Sequence, residues 1–186
     1  MYKNIFQLLE NLKNKTARLV LRWKLKKRSR QRNVCSLSSA RKIGIVFKCE
    51  NNEMFEVVHN FVKECRDEGK DVFAVGYVPE KKVPENYLLR KSLHFFCLSD
   101  LNWYYKPVVP FVELFINERF DLLIDLSINS SYPVDYIVSL SDAGFRAGKR
   151  TDDSEHLDLS IDTGNNSDTN YLLQQIVYYL KILKSN

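Results

Sequence analysis

Hydrophobic residues run along this chain in two alternating rhythms. KIGIVFK (42–48) is a short β-branched apolar run, the pattern of a strand covered on both faces. After it, Met54, Val57, Val58, Phe61, Val62 and Cys65 recur at helical spacing with charges between them, and Gly69 supplies a stop. VFAVGYV (72–78) predicts a second strand, LHFFCL (93–98) a third and DLLIDLS (121–127) a fourth. Between them, ENYLLRK (85–91) adds a helical turn and residues 111–118 a helix, with Pro107 and Pro110 keeping the approach irregular. Residues 133–141 read as a helix with Pro133 suited to its first turn. FRAGK (145–149) and LDLSID (157–162) are the fifth and sixth strands. An amphipathic helix over 170–184 closes the chain, with Leu172, Leu173, Ile176, Val177, Leu180 and Leu183 inward.

Short apolar strands alternating with helices predict an α/β fold, because parallel neighbours need crossover connections. The expectation is a Rossmann-like three-layer domain over 42–186 with a mainly parallel sheet of five or six strands. The runs KIGIVFK and DLLIDLS, the most apolar, belong at its centre. Residues 1–41 are expected to form a basic amphipathic helix, lying outside this domain, and a short linker, SLSSA (36–40). A chain of 186 residues suits one domain with a proper core.

Charge sharpens this division. Residues 1–42 hold 13 of the 28 Lys and Arg but only one acid, Glu10, a net of +12; the rest of the chain nets −7. In the arm, Ile5, Leu8, Leu9, Leu12, Leu19, Val20 and Trp23 fall on one helical stripe, and most cations lie off it. Three readings follow. The stripe docks on the domain and the cations are solvated; or the arm lies on an anionic membrane surface; or its basic run binds RNA phosphates. For the last two, the contact residues are Arg22, Trp23, Lys24, Lys26 and Lys27, followed by Arg28, Arg30 and Arg32. Few aromatics interleave with the cations, which favours membrane over RNA.

Motifs for chemistry are sparse. Cys35, Cys49, Cys65 and Cys97 form no Cys-x-x-Cys pair and His59, His94 and His156 are scattered, so no zinc site is expected. Asp152, Asp153, Glu155 and Asp158 match no calcium loop and read as solvated. Gly-x-Gly-x-x-Gly, the P-loop and Gly-x-Ser-x-Gly are all absent from the sequence, and no cofactor or catalytic residue is assigned. The start lacks a signal-peptide pattern and no apolar run has membrane-spanning length, so a reduced, cytoplasmic protein is expected, peripheral at the inner membrane face if the arm binds lipid. Parallel sheets bind ligands at the C-terminal ends of their strands. There the chain offers Asp100 and Asn102, then Asp125, Ser127, Asn129, Ser130 and Ser131 before a helix N-terminus. Arg146, Lys149 and Arg150 follow as candidate arms for a small phosphorylated ligand.

The stretch from Phe120 to Arg150 resembles the segment of glycosyltransferase-B heptosyltransferases in which a strand ending in Asp precedes a helix and an Arg-x-Gly strand. That resemblance maps onto Asp121, Asp125, Arg146 and Gly148 and implies a related fold; the second, nucleotide-sugar domain of such enzymes has no counterpart in this sequence. Over nearly its whole length the chain is similar to a family of uncharacterised bacterial proteins, through DLNW (100–103), LLIDLS (122–127), AGFRAG (143–148) and YYLKIL (178–183). This implies no activity. The resulting expectation is a non-enzymatic binding or adaptor protein that meets an anionic membrane surface or another partner through its basic helix. An RNA-associated protein or a phosphate- or nucleotide-sugar-binding domain is the alternative.

Overall fold

The computed structural model describes residues 2–89, 93–151 and 154–183. The elements run α1 (Tyr2–Lys26), β1 (Lys42–Lys48), α2 (Asn52–Asp67), β2 (Asp71–Val78), α3 (Glu85–Leu88), β3 (His94–Cys97), α4 (Pro110–Asn117), β4 (Leu122–Asp125), α5 (Tyr132–Leu140), β5 (Phe145–Lys149), β6 (Leu159–Ile161) and α6 (Thr169–Ile182). The strands form one sheet in the order β3-β2-β1-β4-β5-β6, with every pairing parallel. This is the expected Rossmann-like α/β arrangement, with β1 and β4 central. Arg90, Lys91 and Lys184, which the sequence pattern places in helices, lie outside the described residues.

Two-residue alternation along the strands sorts the core into two clusters. Ile43, Ile45 and Phe47 of β1, Leu122 and Ile124 of β4, and Phe145 and Ala147 of β5 face α2 and α6. Val46, Leu123, Val75, Tyr77 and Phe96 face the other way, onto α4 and α5. Local chemistry sets the helix ends. The Asn51 side chain accepts a hydrogen bond from Met54 N at 2.8 Å, capping α2, and Gly69 (φ 80°) turns the chain out of it. All four cysteines are free and buried, and burial pushes the Cys49 and Cys65 thiols up to about 11.

The N-terminal segment departs from expectation. Helix α1 ends at Lys26, well short of Arg32, in a turn closed by Lys27 N and Arg28 N donating to the carbonyls of Lys24 and Leu25. The physical reason lies in RSRQR (28–32): arginine at every second position suits an extended chain whose side chains alternate. Arg28 and Arg30 are half-buried while Ser29 and Gln31 are exposed. Helix α1 lies on α5 rather than apart from the domain. The α5 residues Pro133, Val134, Tyr136, Ile137, Val138, Ser139 and Leu140 are all buried, which takes the sheet on one side and α1 on the other. Ala17, 1% exposed, makes the close contact, and Leu21 packs against the cluster on that face. Nor is SLSSA a loose linker: Leu37 and Ala40 belong to the core, and Lys70 Nζ donates to the carbonyls of both, at 2.9 and 3.3 Å.

Gly44 in β1 leaves room for the core behind it. A Cβ there would stand 2.8 Å from Phe120 Cδ2 and 2.9 Å from Leu123 Cδ1, both fully packed side chains. Gly44→Ala is therefore expected to lower the stability measured by urea unfolding by about 1–3 kcal/mol. An unchanged midpoint would contradict this packing.

Candidate functional site

In an open parallel sheet the crevice for ligands lies where the strand order reverses, here between β1 and β4. Most polar groups of that crevice are bonded to one another. Lys48 Nζ pairs with Glu50 at 2.6 Å, and Asn129 Nδ2 donates to the same carboxylate at 2.9 Å. Ser127 Oγ accepts from Lys48 N at 3.0 Å, Ser127 N donates to Asp125 Oδ1 at 2.9 Å, and Ser130 Oγ donates to Asp135 at 2.8 Å. Asp125 itself is buried. These residues lock β1 to the β4–α5 connection, the architectural work such side chains do in turns.

The flanking candidates divide in the same way. Asp100 accepts from Cys97 N at 2.8 Å and Asn102 from Lys106 N at 2.9 Å, so both hold the backbone of their own turns. Asp121 accepts from Arg41 N and Lys42 N, each at 2.9 Å, and pins the start of β1. On β5 the alternation separates residues the sequence grouped together. Lys149 shares the α6 side with Phe145 and Ala147, whereas Arg146 and Gly148 lie on the α5 side. Lys149 is thereby removed from the Arg146 side of the sheet, and Arg150 is exposed beyond the strand. Gly148 is needed for close approach, since a Cβ there would stand 3.1 Å from the Asp125 Cβ.

What the fold does bring together is arginine. A cleft of about 740 Å³ runs between α1, the extended segment after it, and α5, with Arg146 of β5 in its wall. Six arginines and three carboxylates line it among the described residues. Arg28 donates to the Leu140 carbonyl, to Asp142 at 3.1 Å and to Asn117 at 2.7 Å. Arg30 forks onto Asp158 at 2.6 and 2.7 Å and also reaches the Ala143 carbonyl at 3.0 Å. Arg32, largely exposed, lies 3.5 Å from the same carboxylate. Arg28 and Arg30 are thus anchors of the fold rather than free surface cations.

Arg146 is different. It is 6% exposed, and its terminal nitrogens donate to the carbonyls of Ser141 and of His156, the latter at 3.2 Å. Its Nε–H has no acceptor among the described residues, and no carboxylate bonds its guanidinium. Burial, together with the nearby Arg30 charge, pulls this group down to about 10. Ser131 Oγ and Tyr132 Oη, in the same cleft at the start of α5, are also buried without hydrogen-bond partners among the described residues.

The remaining cations of α1 point elsewhere. Lys24 Nζ lies 5.3 Å over the Tyr136 ring, facing inward, and Lys27 Nζ covers the outward Trp23 ring at 3.6 Å. Arg22 and Lys26 are exposed. The apolar stripe is not the docked face. Leu8, Leu12, Leu19 and Trp23 are 70, 53, 66 and 58% exposed, while Glu10, Lys13, Ala17, Leu21 and Lys24 turn toward the protein. Sequence reasoning picked out Arg146 and Ser131 but missed Tyr132 and Arg18 in the cleft wall. The available signals were the period-two arginines of RSRQR and the spacing of Ala17 and Leu21 by one helical turn.

A family of unknown function, DUF6913, matches residues 13–183. The chain belongs to that family. The matched span takes in most of α1, the period-two arginines, the whole sheet and every residue of the cleft. No curated protein and no solved structure matches the chain. Among the described residues no helix is long and apolar enough to cross a membrane. Glu155 and His156 line the cleft, whereas Asp152 and Asp153 lie outside the described residues.

Asp125 gives the crevice a pH signature. Burial pushes its carboxyl up to about 7 from an ordinary 3.8, against the Ser127 hydrogen bonds that lower it. Between those values the folded protein keeps a proton that the unfolded chain releases, so stability falls as pH rises from about 4 to 7, by up to ~1.4 kcal/mol per pH unit. Asp125→Asn is expected to remove that slope, gaining on the wild type as pH rises in denaturant titrations across this range. Parallel pH profiles would show that the folded protein already holds Asp125 ionised.

Proposed function

We propose that this is a binding or adaptor protein that sits on an anionic membrane surface through the outward face of α1. The observation that carries the reading is the orientation of that helix. Ala17, Leu21 and the inward charged residues hold it against the domain, and most of its large apolar residues stay exposed. Leu8, Leu12, Leu19 and Trp23 recur at one angle along a helix of 25 residues, about 37 Å at ~1.5 Å per residue. Lys15 and Arg22 border this stripe, and Lys26 and Lys27 close its end. An apolar strip edged by cations fits the boundary between headgroups and acyl chains, and each cation near an anionic surface adds about 1 kcal/mol.

Charge complementarity favours lipid over the other occupants. A second copy of the helix would set cations against cations, because its one acid, Glu10, is held by Lys13 at 2.9 Å and by the Tyr105 hydroxyl. RNA would leave the leucines without a partner, and a single outward tryptophan is a poor stacking platform.

Co-sedimentation tests the reading. Full-length protein is expected to bind vesicles containing phosphatidylglycerol and not pure phosphatidylcholine, with binding weakened by salt. Leu19→Glu with Trp23→Glu should abolish partitioning without changing the urea midpoint. These substitutions are preferable to deleting residues 1–40, because Leu37 and Ala40 are core residues. Equal partitioning of wild type and variant would refute the membrane role. Nucleic acid that co-purifies, leaves with salt and competes with vesicles would replace it with the RNA role.

A further inference from the structure

We propose that the turn at residues 102–106 is a second contact with the anionic lipid surface, carrying Trp103 into the headgroup region beside α1. This rests on the membrane reading of α1 and adds a point of contact on the domain itself. The turn holds a large aromatic side chain out in solvent on a backbone built to keep it there. Trp103 is 59% exposed, and Leu98 and Val108, on either side of the turn in sequence, are exposed as well. Asn102 closes the turn four times over. Its N–H donates to the Lys106 carbonyl at 2.9 Å and its carbonyl accepts from Tyr105 N at 3.0 Å. Its Oδ1 accepts from Tyr104 N at 3.2 Å and from Lys106 N at 2.9 Å. Leu101 and Pro107 pair antiparallel across the base. Tyr105 is the one non-glycine residue with positive φ, 66°, among the described residues. A side chain with a β-carbon disfavours that conformation, which persists only where the surroundings enforce it.

Tyr105 ties this turn to α1. Its hydroxyl donates to Glu10, and Lys13 Nζ lies 5.4 Å from the centre of its ring. Trp103 therefore stands two residues from a direct contact with the N-terminal half of α1, where Leu8, Leu9 and Leu12 are exposed. A helix lying on a surface touches it along one line and leaves the attached domain free to roll about that line. A contact on the domain, off the helix axis, fixes the roll. Indole suits the role, because its apolar ring and its N–H donor favour the headgroup level over both water and acyl chain. The two carboxylates that reach the turn are each paired with a lysine: Glu10 with Lys13 at 2.9 Å and Glu113 with Lys106 at 3.4 Å. Lipid phosphates thus meet no uncompensated acid there, and the attraction comes from the cations of α1.

The chain has two tryptophans, Trp23 on α1 and Trp103 in the turn, so each can be made the sole indole reporter. Full-length Trp23→Phe reports on Trp103, and full-length Trp103→Phe reports on Trp23. With phosphatidylglycerol vesicles the emission of both proteins is expected to shift to the blue and to be quenched by lipids brominated along the acyl chain. Pure phosphatidylcholine vesicles should give neither effect. Trp103→Ala should weaken co-sedimentation with phosphatidylglycerol vesicles by about tenfold, the loss of one large apolar contact, with an unchanged urea midpoint. A shift at Trp23 with none at Trp103 would overturn the second contact and leave the α1 reading standing. Silence of both reporters would refute the two together. A blue shift of Trp103 that grows with protein concentration in the absence of lipid would assign the turn to a second copy of the chain and overturn the proposal.

Discussion

Asp158 receives both arms of the Arg30 guanidinium and, on Oδ2, the backbone N–H of Arg146 at 2.9 Å. Both members of the ion pair are nearly buried, with side chains 10 and 7% exposed. Removing either partner would strand a charge in the protein, so the pair holds the geometry tightly even where its net stabilisation is small. It joins three pieces distant in sequence: the segment leaving α1, strand β5, and the connection into β6. Arg30 reinforces the joint through the Ala143 carbonyl, and Asn33 N donates to Gly144 O at 3.0 Å. From that joint α1 runs back along α5.

That path covers the outer side of α5 and forms a cleft beside it. Helix α5 is apolar around most of its girth, so a sheet on one side alone would leave it exposed. Ala17 lets the α1 backbone come close, and longer side chains at the same level open the cleft beside the contact. The cations of the N-terminal region, one block of charge in the sequence, are thereby distributed. Arg28 and Arg30 bind the fold, Arg18, Arg22 and Arg32 line the cleft, and Lys15, Lys26 and Lys27 stay with the outward leucines and Trp23.

The crevice at the strand reversal takes a different course from its usual use in parallel sheets. Lys48, Glu50, Asn129, Ser127 and Asp125 are bonded across it, closing the place where a dinucleotide would enter. The cleft lies one layer further out, beside α5, with Arg146 in its wall. The Arg-Ala-Gly run of β5 is then explained residue by residue. Arg146 lines the cleft and ties β5 to the carbonyls of Ser141 and His156, and Ala147 fills the α6-side core. Gly148 makes room for Asp125.

Strand and helix positions, the parallel sheet and the central placing of β1 and β4 were legible in the chain, because periodicity and strand hydrophobicity are local properties that burial must respect. KIGIVFK and DLLIDLS show the continuous apolar run of a strand covered on both faces. The polar residues of the Ser127–Ser131 loop were legible as a cluster but not in their roles, since a serine that donates to a carboxylate, one that braces a strand and one without a partner among the described residues are identical in sequence. Which face of α1 docks was beyond local pattern: its leucine stripe is the stronger amphipathic signal, yet Ala17 and Leu21 make the contact. Helix periodicity ranks faces by hydrophobicity alone, whereas docking depends on the shape and charge of the surface opposite. Sequence by itself determined the elements and their order of burial. The tertiary structure decided which arginines are anchors and which line the cleft, because that depends on Asp158, Asp142 and the carbonyls of Leu140 and Ala143, more than a hundred residues away along the chain.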